Sequence, residues 1–236
     1  LSGTATLRRW DVNPLHPQPP EALLAGLQQH AVWADAGLAL VPLEHDIRLW
    51  LLAVNEQRLF DATEIAALWR YMPYWAFAWA GGRAMSSFLV KQPHRVAGKR
   101  VLDIGCGGGI AALQAARQGA SMVGVCDIDP LATLAAQHNA SLNGVVVEVV
   151  RAGDWGDFDV FLAGDLLYDP ASHPLLAELQ ASISAGLTAE PAAALRHFFP
   201  SSAAAAQDSG LFATLPAIGD FDQQVLIEIH AMPHSP

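Results

Sequence analysis

The spacing of apolar positions changes along the chain, and the elements it predicts change with it. Pro14, Pro17, Pro19 and Pro20 leave residues 1 to about 20 as a loose arm. Leu23, Leu24 and Leu27 fall at helical spacing and predict a short helix from Glu21 to about His30. Leu38 to Val54 holds two apolar runs broken at Pro42, which predicts extended chain. Asp61 with Glu64 three residues later reads as an N-cap and capping box, opening a helix to about Arg70. Pro73 ends it, and a second helix is expected from about Ala76 to Val90.

Past Lys99 the pattern becomes strand, glycine turn, helix, strand. Apolar runs at 100–104, 122–126, 145–150 and 158–163 predict strands. Helical stretches separate the first three: one of small residues ends at Gly119, and Leu131 to Leu142 is stopped by Asn143 and Gly144. A fifth strand is expected at 187–189, and 212–218 with 224–231 resemble a closing hairpin. Residues 191–207 are alanine-rich, compatible with helix or loop. Such alternation implies right-handed crossovers, hence an α/β, Rossmann-like, mostly parallel sheet with helices on both faces. An N-terminal helical and extended appendage (1–70) would precede the sheet domain (71–236).

Composition narrows the picture. Of 236 residues 52% are hydrophobic and 15% charged, enough to build a core and too apolar for disorder. A net charge of −10 disfavours a phosphate backbone or an anionic membrane as partner and suits a protein or a small cation. No apolar run reaches the roughly 18 residues that span a bilayer. Cys106 and Cys126 read as reduced thiols, and the sequon at 139–141 lies inside a helical pattern. The nine histidines show no metal-ligand spacing, so no metal is expected. No nucleophile elbow appears, and no Walker lysine follows the glycines. A monomer is expected, in bacterial cytoplasm, or in an organelle matrix if the opening with Arg8 and Arg9 is a trimmed leader.

Ligands of such sheets lie beyond the carboxyl ends of the strands, so those turns hold the candidate chemistry. After the first strand come Asp103, Gly105, Gly107 and Gly109; glycines admit a ligand close to the backbone and aim helix N–H groups at it. Dinucleotides and S-adenosylmethionine both suit that turn. Asp103 favours the second, since a carboxylate repels a pyrophosphate and attracts an ammonium. Asp127 ends the next strand, where an acid accepts ribose hydroxyls; Asp129 reads as a helix cap. Asp154 and Trp155 pair a carboxylate with a flat ring, as an adenine would want, and Asp165 with Tyr168 offers a carboxylate and a ring to orient an amine. Tyr74, Trp75, Phe77 and Trp79 precede Gly81 and could serve as core or as a lid.

With these motifs in order, the chain resembles the class I, seven-strand S-adenosylmethionine-dependent methyltransferases. Within them it resembles the protein lysine methyltransferases with an Asp-x-x-Tyr motif, over roughly residues 42–175. The resemblance implies a seven-stranded sheet, with Asp103, Gly105 and Gly107 at the methionyl end, Asp127 at the ribose and Asp154 with Trp155 at the adenine. Trp79 and Gly81 would close over the cofactor, Asp165 and Tyr168 would hold the target lysine, and Trp75, Phe77 and Tyr168 would wall it. The substrate would be a protein, such as electron transfer flavoprotein β subunit or a ribosomal protein. Two departures stand out: Trp79 is followed by Ala80, Gly81 and Gly82 where the family usually has Pro-Ser-Gly, and the match fades beyond about residue 190. An N-methyltransferase of small amines or pyridines would use the same cofactor residues. An oxidoreductase is disfavoured by Asp103 and Asp165, and a non-catalytic binding module by the intact Asp165 and Tyr168.

Overall fold

A computed structural model describes residues 17–30, 36–53, 72–198, 206–217 and 224–233, with positions 63, 66 and 70. The expected arm before residue 17 lies outside the described residues, as does most of the expected 61–70 helix. Helix α1 (Glu21–His30) precedes an antiparallel hairpin of β1 (Leu38–Pro42) and β2 (Arg48–Leu52), in the two runs that flank Pro42. The second expected helix starts late. Tyr74–Ala76 forms a single 3₁₀ turn, Phe77 is extended, and α2 runs Ala80–Lys91. The chain then alternates through β3 (Arg100–Ile104), α3 (Ile110–Arg117), β4 (Met122–Cys126), α4 (Pro130–Leu142) and β5 (Glu148–Val149). It ends with β6 (Val160–Gly164), α5 (His173–Ser182), β7 (Ala185–Pro191), α6 (Ala192–Phe198), β8 (Asp208–Phe212) and β9 (Val225–Pro233).

The sheet has seven strands in the order β5-β4-β3-β6-β7-β9-β8. The first five are parallel, and β9 runs antiparallel between β7 and β8. Chain order reverses between β3 and β6, so the crevice beyond those two strands is where a ligand is expected. Successive strand residues point to opposite faces. Val101 and Leu162 accordingly join a core with α2 and α3, whereas Leu102 and Phe161 join one with α5. Helices therefore cover both faces, as the alternation predicts.

A further boundary differs from expectation. The closing hairpin begins at Asp208, with Phe212 as the last residue of its first strand rather than the first. Leu215 turns back to pair with Ala78, N–H to O at 2.7 and 3.0 Å in the two directions. The hairpin of the expected appendage packs against the sheet domain. Ile47, Leu49 and Leu51 belong to the main core, while Trp50 and Leu52 pack with α1 and with Ala132 and Ala135 of α4. Buried on both faces, β2 is part of the same folded body. Arg83 on α2 pairs with Glu44 in the hairpin turn. Fully buried Asn139 spans from Gly108 O (2.9 Å) to the amide of Trp50 (3.0 Å), tying hairpin to glycine turn.

Candidate active site

The glycine turn is built by its neighbours. Gly105 and Cys106 donate to Cys126 O at 2.8 and 3.2 Å, and the Asp127 carboxylate accepts from Gly107 N–H at 3.0 Å and Asp129 N–H at 3.0 Å. Gly105 has φ +63, a conformation that favours glycine, and the space its Cβ would take is filled by the end of the Leu166 side chain, so the two turns touch there. At Gly107 the same atom would meet nothing closer than Tyr74 O at 4.0 Å, leaving the backbone open to a ligand. Asp103 is buried beneath, accepting from Ala112 N–H at 2.9 Å. Burial pushes its carboxyl up to about 8, against that amide and with the charge of Asp127 adding to the rise. The Cys106 thiol is driven far up by burial and then by Asp103 and Asp127. Acids this crowded favour a nearby cation, whose charge would lower their carboxyls again, and disfavour a pyrophosphate.

Asp165 follows β6 with φ +53, a left-handed conformation rare outside glycine. Its Oδ2 accepts from Gly81 N–H (2.7 Å) and Gly82 N–H (3.2 Å), at the positive start of α2. Burial lifts this carboxyl to about 6, although both amides pull it down. Tyr168 lies beyond it, 63% exposed, stacked on Tyr74 at 6.2 Å with 24° between planes. Tyr74 in turn meets Trp79 at 5.6 Å, and Trp79 Nε1 donates to Tyr74 O at 2.8 Å. Burial and then Tyr74 push the Tyr168 hydroxyl up to about 12. It stays protonated at neutral pH and is no base there.

Gly81, Trp79, Asp165 and Tyr168 thus converge with Gly105, Gly107 and Asp127 on one edge of the sheet. Asp154 sits in an exposed turn just after β5, joined by no described hydrogen bond to these groups. Trp155 is a correction. Its ring is 2% exposed, packed with Ile104, Cys126 and Phe158, and Nε1 donates to Glu178 at 2.6 Å, so no face is left for a base. The apolar surface at that crevice is Ile128, fully exposed beside Asp127. Trp75 and Phe77 also turn inward, 1% and 2% exposed, and wall nothing; Tyr74 takes their place. Asp129 caps α4, accepting from Leu131 N–H at 2.8 Å, as the sequence suggests.

Sequence reasoning also missed Glu190. It lies one residue past the expected fifth strand, and the strand-end rule applied to the other four turns would have found it. It is wholly buried and accepts from Leu166 N–H (2.9 Å) and Leu167 N–H (3.2 Å). Among the described residues, no group of three His, Cys, Asp or Glu could hold a metal ion, and no helix is long and apolar enough to cross a membrane.

Strand order and glycine turn together define a Rossmann-like, seven-stranded α/β domain with its acids at the strand ends. Residues 87–167 match the family described as ribosomal protein L11 methyltransferase (PrmA). Among curated proteins, the chain is 39% identical over 115 residues to the electron transfer flavoprotein β subunit lysine methyltransferase of Danio rerio, covering 46% of this chain and 45% of that one. For the enzyme of the same name in Xenopus laevis the values are 40% over 143 residues, 58% and 57%. The chain thus spans about half the length of the curated relatives it matches. A solved structure from Pyrococcus horikoshii shares the fold, with TM-score 0.52 and 15% identity, over 66% of this chain and 83% of that one.

Proposed function

We propose that the chain transfers a methyl group from S-adenosylmethionine to the ε-amine of a protein lysine. The observation that carries this reading is the Asp165–Tyr168 turn, held against the cation-favouring glycine turn by the Gly105–Leu166 contact. The names of the matched relatives support a protein lysine as acceptor, with electron transfer flavoprotein β subunit and ribosomal protein L11 as the first two to try. Gly105, Gly107 and Asp103 would hold the methionyl end, Asp127 the ribose, and Asp154 with Ile128 the adenine. When bound, S-adenosylmethionine supplies an electrophilic methyl carbon on a sulfonium.

Everything else falls to the chain. The attacking amine must be neutral, which for a lysine at pH 7 costs about 4–5 kcal/mol. Both α2 amides end on Oδ2 of Asp165, so Oδ1 would accept from the amine and stabilise the ammonium product, while the stacked, exposed rings of Tyr74 and Tyr168 offer an apolar surface to the methylene stem. With its hydroxyl pushed up to about 12, Tyr168 removes no proton at neutral pH, so the amine loses its own to solvent.

The test uses methyl-labelled S-adenosylmethionine with a cell extract, separated into protein and small molecules, beside an Asp165→Asn control. Label in a discrete protein band that the control lacks is the expected result. Label confined to small molecules would replace this reading with a small-amine enzyme.

Ligand binding should also report on Asp103. Its carboxyl keeps a proton to about pH 8 when folded, whereas unfolded chain loses it near pH 3.9. The folded state therefore binds more protons between these values, and stability falls as pH rises through them. A cation seated nearby favours the ionised form and expels that proton, so affinity rises toward pH 8. The melting temperature without ligand should be lower at pH 8.5 than at pH 6, and S-adenosylmethionine should raise it more at pH 8.5. Equal shifts at both would show that Asp103 does not sense the ligand.

A further inference from the structure

The amides of residues 165, 166 and 167 all end on β7. Asp165 N–H donates to Ala189 O at 3.1 Å, and Leu166 and Leu167 N–H donate to the two carboxylate oxygens of Glu190 at 2.9 and 3.2 Å. Thr188 Oγ1 lies 3.3 Å from Oε1 of the same carboxylate. Glu190 has no exposed surface, so it recruits no substrate itself. An ordinary side chain at the end of a central strand would be apolar; a buried carboxyl here carries a desolvation penalty that only its donors offset. Burial, and then the charge of Asp165, push it up to about 8 against those three donors. Opposite it on β9, Glu228 is engaged by His230 at 3.2 Å, which leaves the amides of the 165–168 turn as the main partners of Glu190.

Within the turn itself Asp169 N–H donates to Leu166 O at 3.3 Å, a long bond that leaves the Leu166 and Leu167 amides to Glu190. Asp165 sits at φ +53, and such a conformation persists only where the surroundings over-determine it. From the other side, Ser172 Oγ donates to Leu166 O at 2.6 Å. We propose that Glu190 is the positioning residue of the acceptor turn: by holding the Leu166 and Leu167 amides it fixes the left-handed Asp165 and aims Tyr168 at the substrate. This rests on the reading of Asp165 and Tyr168 as acceptor residues. Glu190 touches neither cofactor nor acceptor and acts only through the turn.

Glu190→Ala and Glu190→Gln in the full chain test it with three readouts: hydrogen exchange of the peptide over 165–169, binding of S-adenosylhomocysteine, and the kcat and KM of transfer. Alanine leaves both amides without an acceptor, and glutamine restores one accepting oxygen. In Glu190→Ala the 165–169 peptide should exchange at least tenfold faster while the 104–109 peptide is unchanged. Affinity for S-adenosylhomocysteine should stay within about twofold, and kcat should fall about 10²-fold, the scale of an ångström misplacement. Glu190→Gln should recover a large part of the rate. Unchanged exchange at 165–169 in both variants would overturn the proposal. So would loss of ligand affinity in step with rate, the mark of a general structural role. A wild-type chain that transfers nothing would sink the acceptor reading instead, and the exchange comparison would still decide whether Glu190 holds the turn.

Discussion

Asp165→Asn should abolish methyl transfer, with a loss of at least about 10³-fold, while leaving the fold and cofactor affinity close to wild type. Both hydrogen bonds from α2 end on Oδ2. An asparagine can turn its single carbonyl oxygen to Gly81 and Gly82 and keep the helix in place. Its NH₂ then takes the position of Oδ1, presenting a donor to an amine that needs an acceptor. Exchanging a carboxylate for a neutral acceptor weakens each amide bond by about 1 kcal/mol. Removing a charge that burial penalises, and that repels Glu190, works in the other direction. Asp165→Ala is the poorer test, because it strands two amides and confounds rate with stability. The check is a melting curve, a binding isotherm and a transfer rate on one preparation. Wild-type transfer by Asp165→Asn would remove the residue from the mechanism.

Gly81→Ala should be the most damaging single methyl group near the site. The added Cβ would lie 2.4 Å from Ala189 O and 2.6 Å from Asp165 Oδ2. Ala189 O belongs to a central strand and already accepts from Asp165 N–H, so the start of α2 must move instead. Overpacking of this kind costs about 1–3 kcal/mol, and weakening the two amide–carboxylate bonds adds about 1–3 kcal/mol. At about 2–4 °C per kcal/mol for a chain of this size, the melting temperature should fall by roughly 10 °C. Transfer should fall with it, since the bonds that hold Asp165 are those displaced. Gly156→Ala is the control: a Cβ there meets nothing within 4 Å and should change neither quantity. A Gly81→Ala chain that melts and turns over like wild type would show that helix and turn do not approach so closely.

Much of this site is local in origin. Asp103, Asp127, Asp154 and Asp165 each follow or end an apolar run with a turn behind it, and strand ends in a parallel sheet share one edge. Their common location therefore follows from the alternation of strands and helices alone. The capping role of Asp129 is equally local, spanning two residues. Period and turn chemistry carried these readings because the interactions involved close within a few residues.

The readings that failed, and the residue that was missed, depend on packing between distant segments. Whether Trp155 offers its ring to a base or buries it turns on Glu178, 23 residues away on α5. Tyr74 rather than Trp75 or Phe77 faces the site because a single 3₁₀ turn and an extended Phe77 replace the expected helical start. Glu190 gains its role only through the register of β6 on β7, with Gly164 opposite Ala189, which carries the next turn over its carboxylate. The sequence by itself determined the alternating strands up to β6, the acids that follow them and the class of ligand those acids favour, since these follow from short-range periodicity and charge. The tertiary structure alone decided which aromatic rings are exposed and how the acceptor turn is held, since both arise from contacts between residues far apart in the chain.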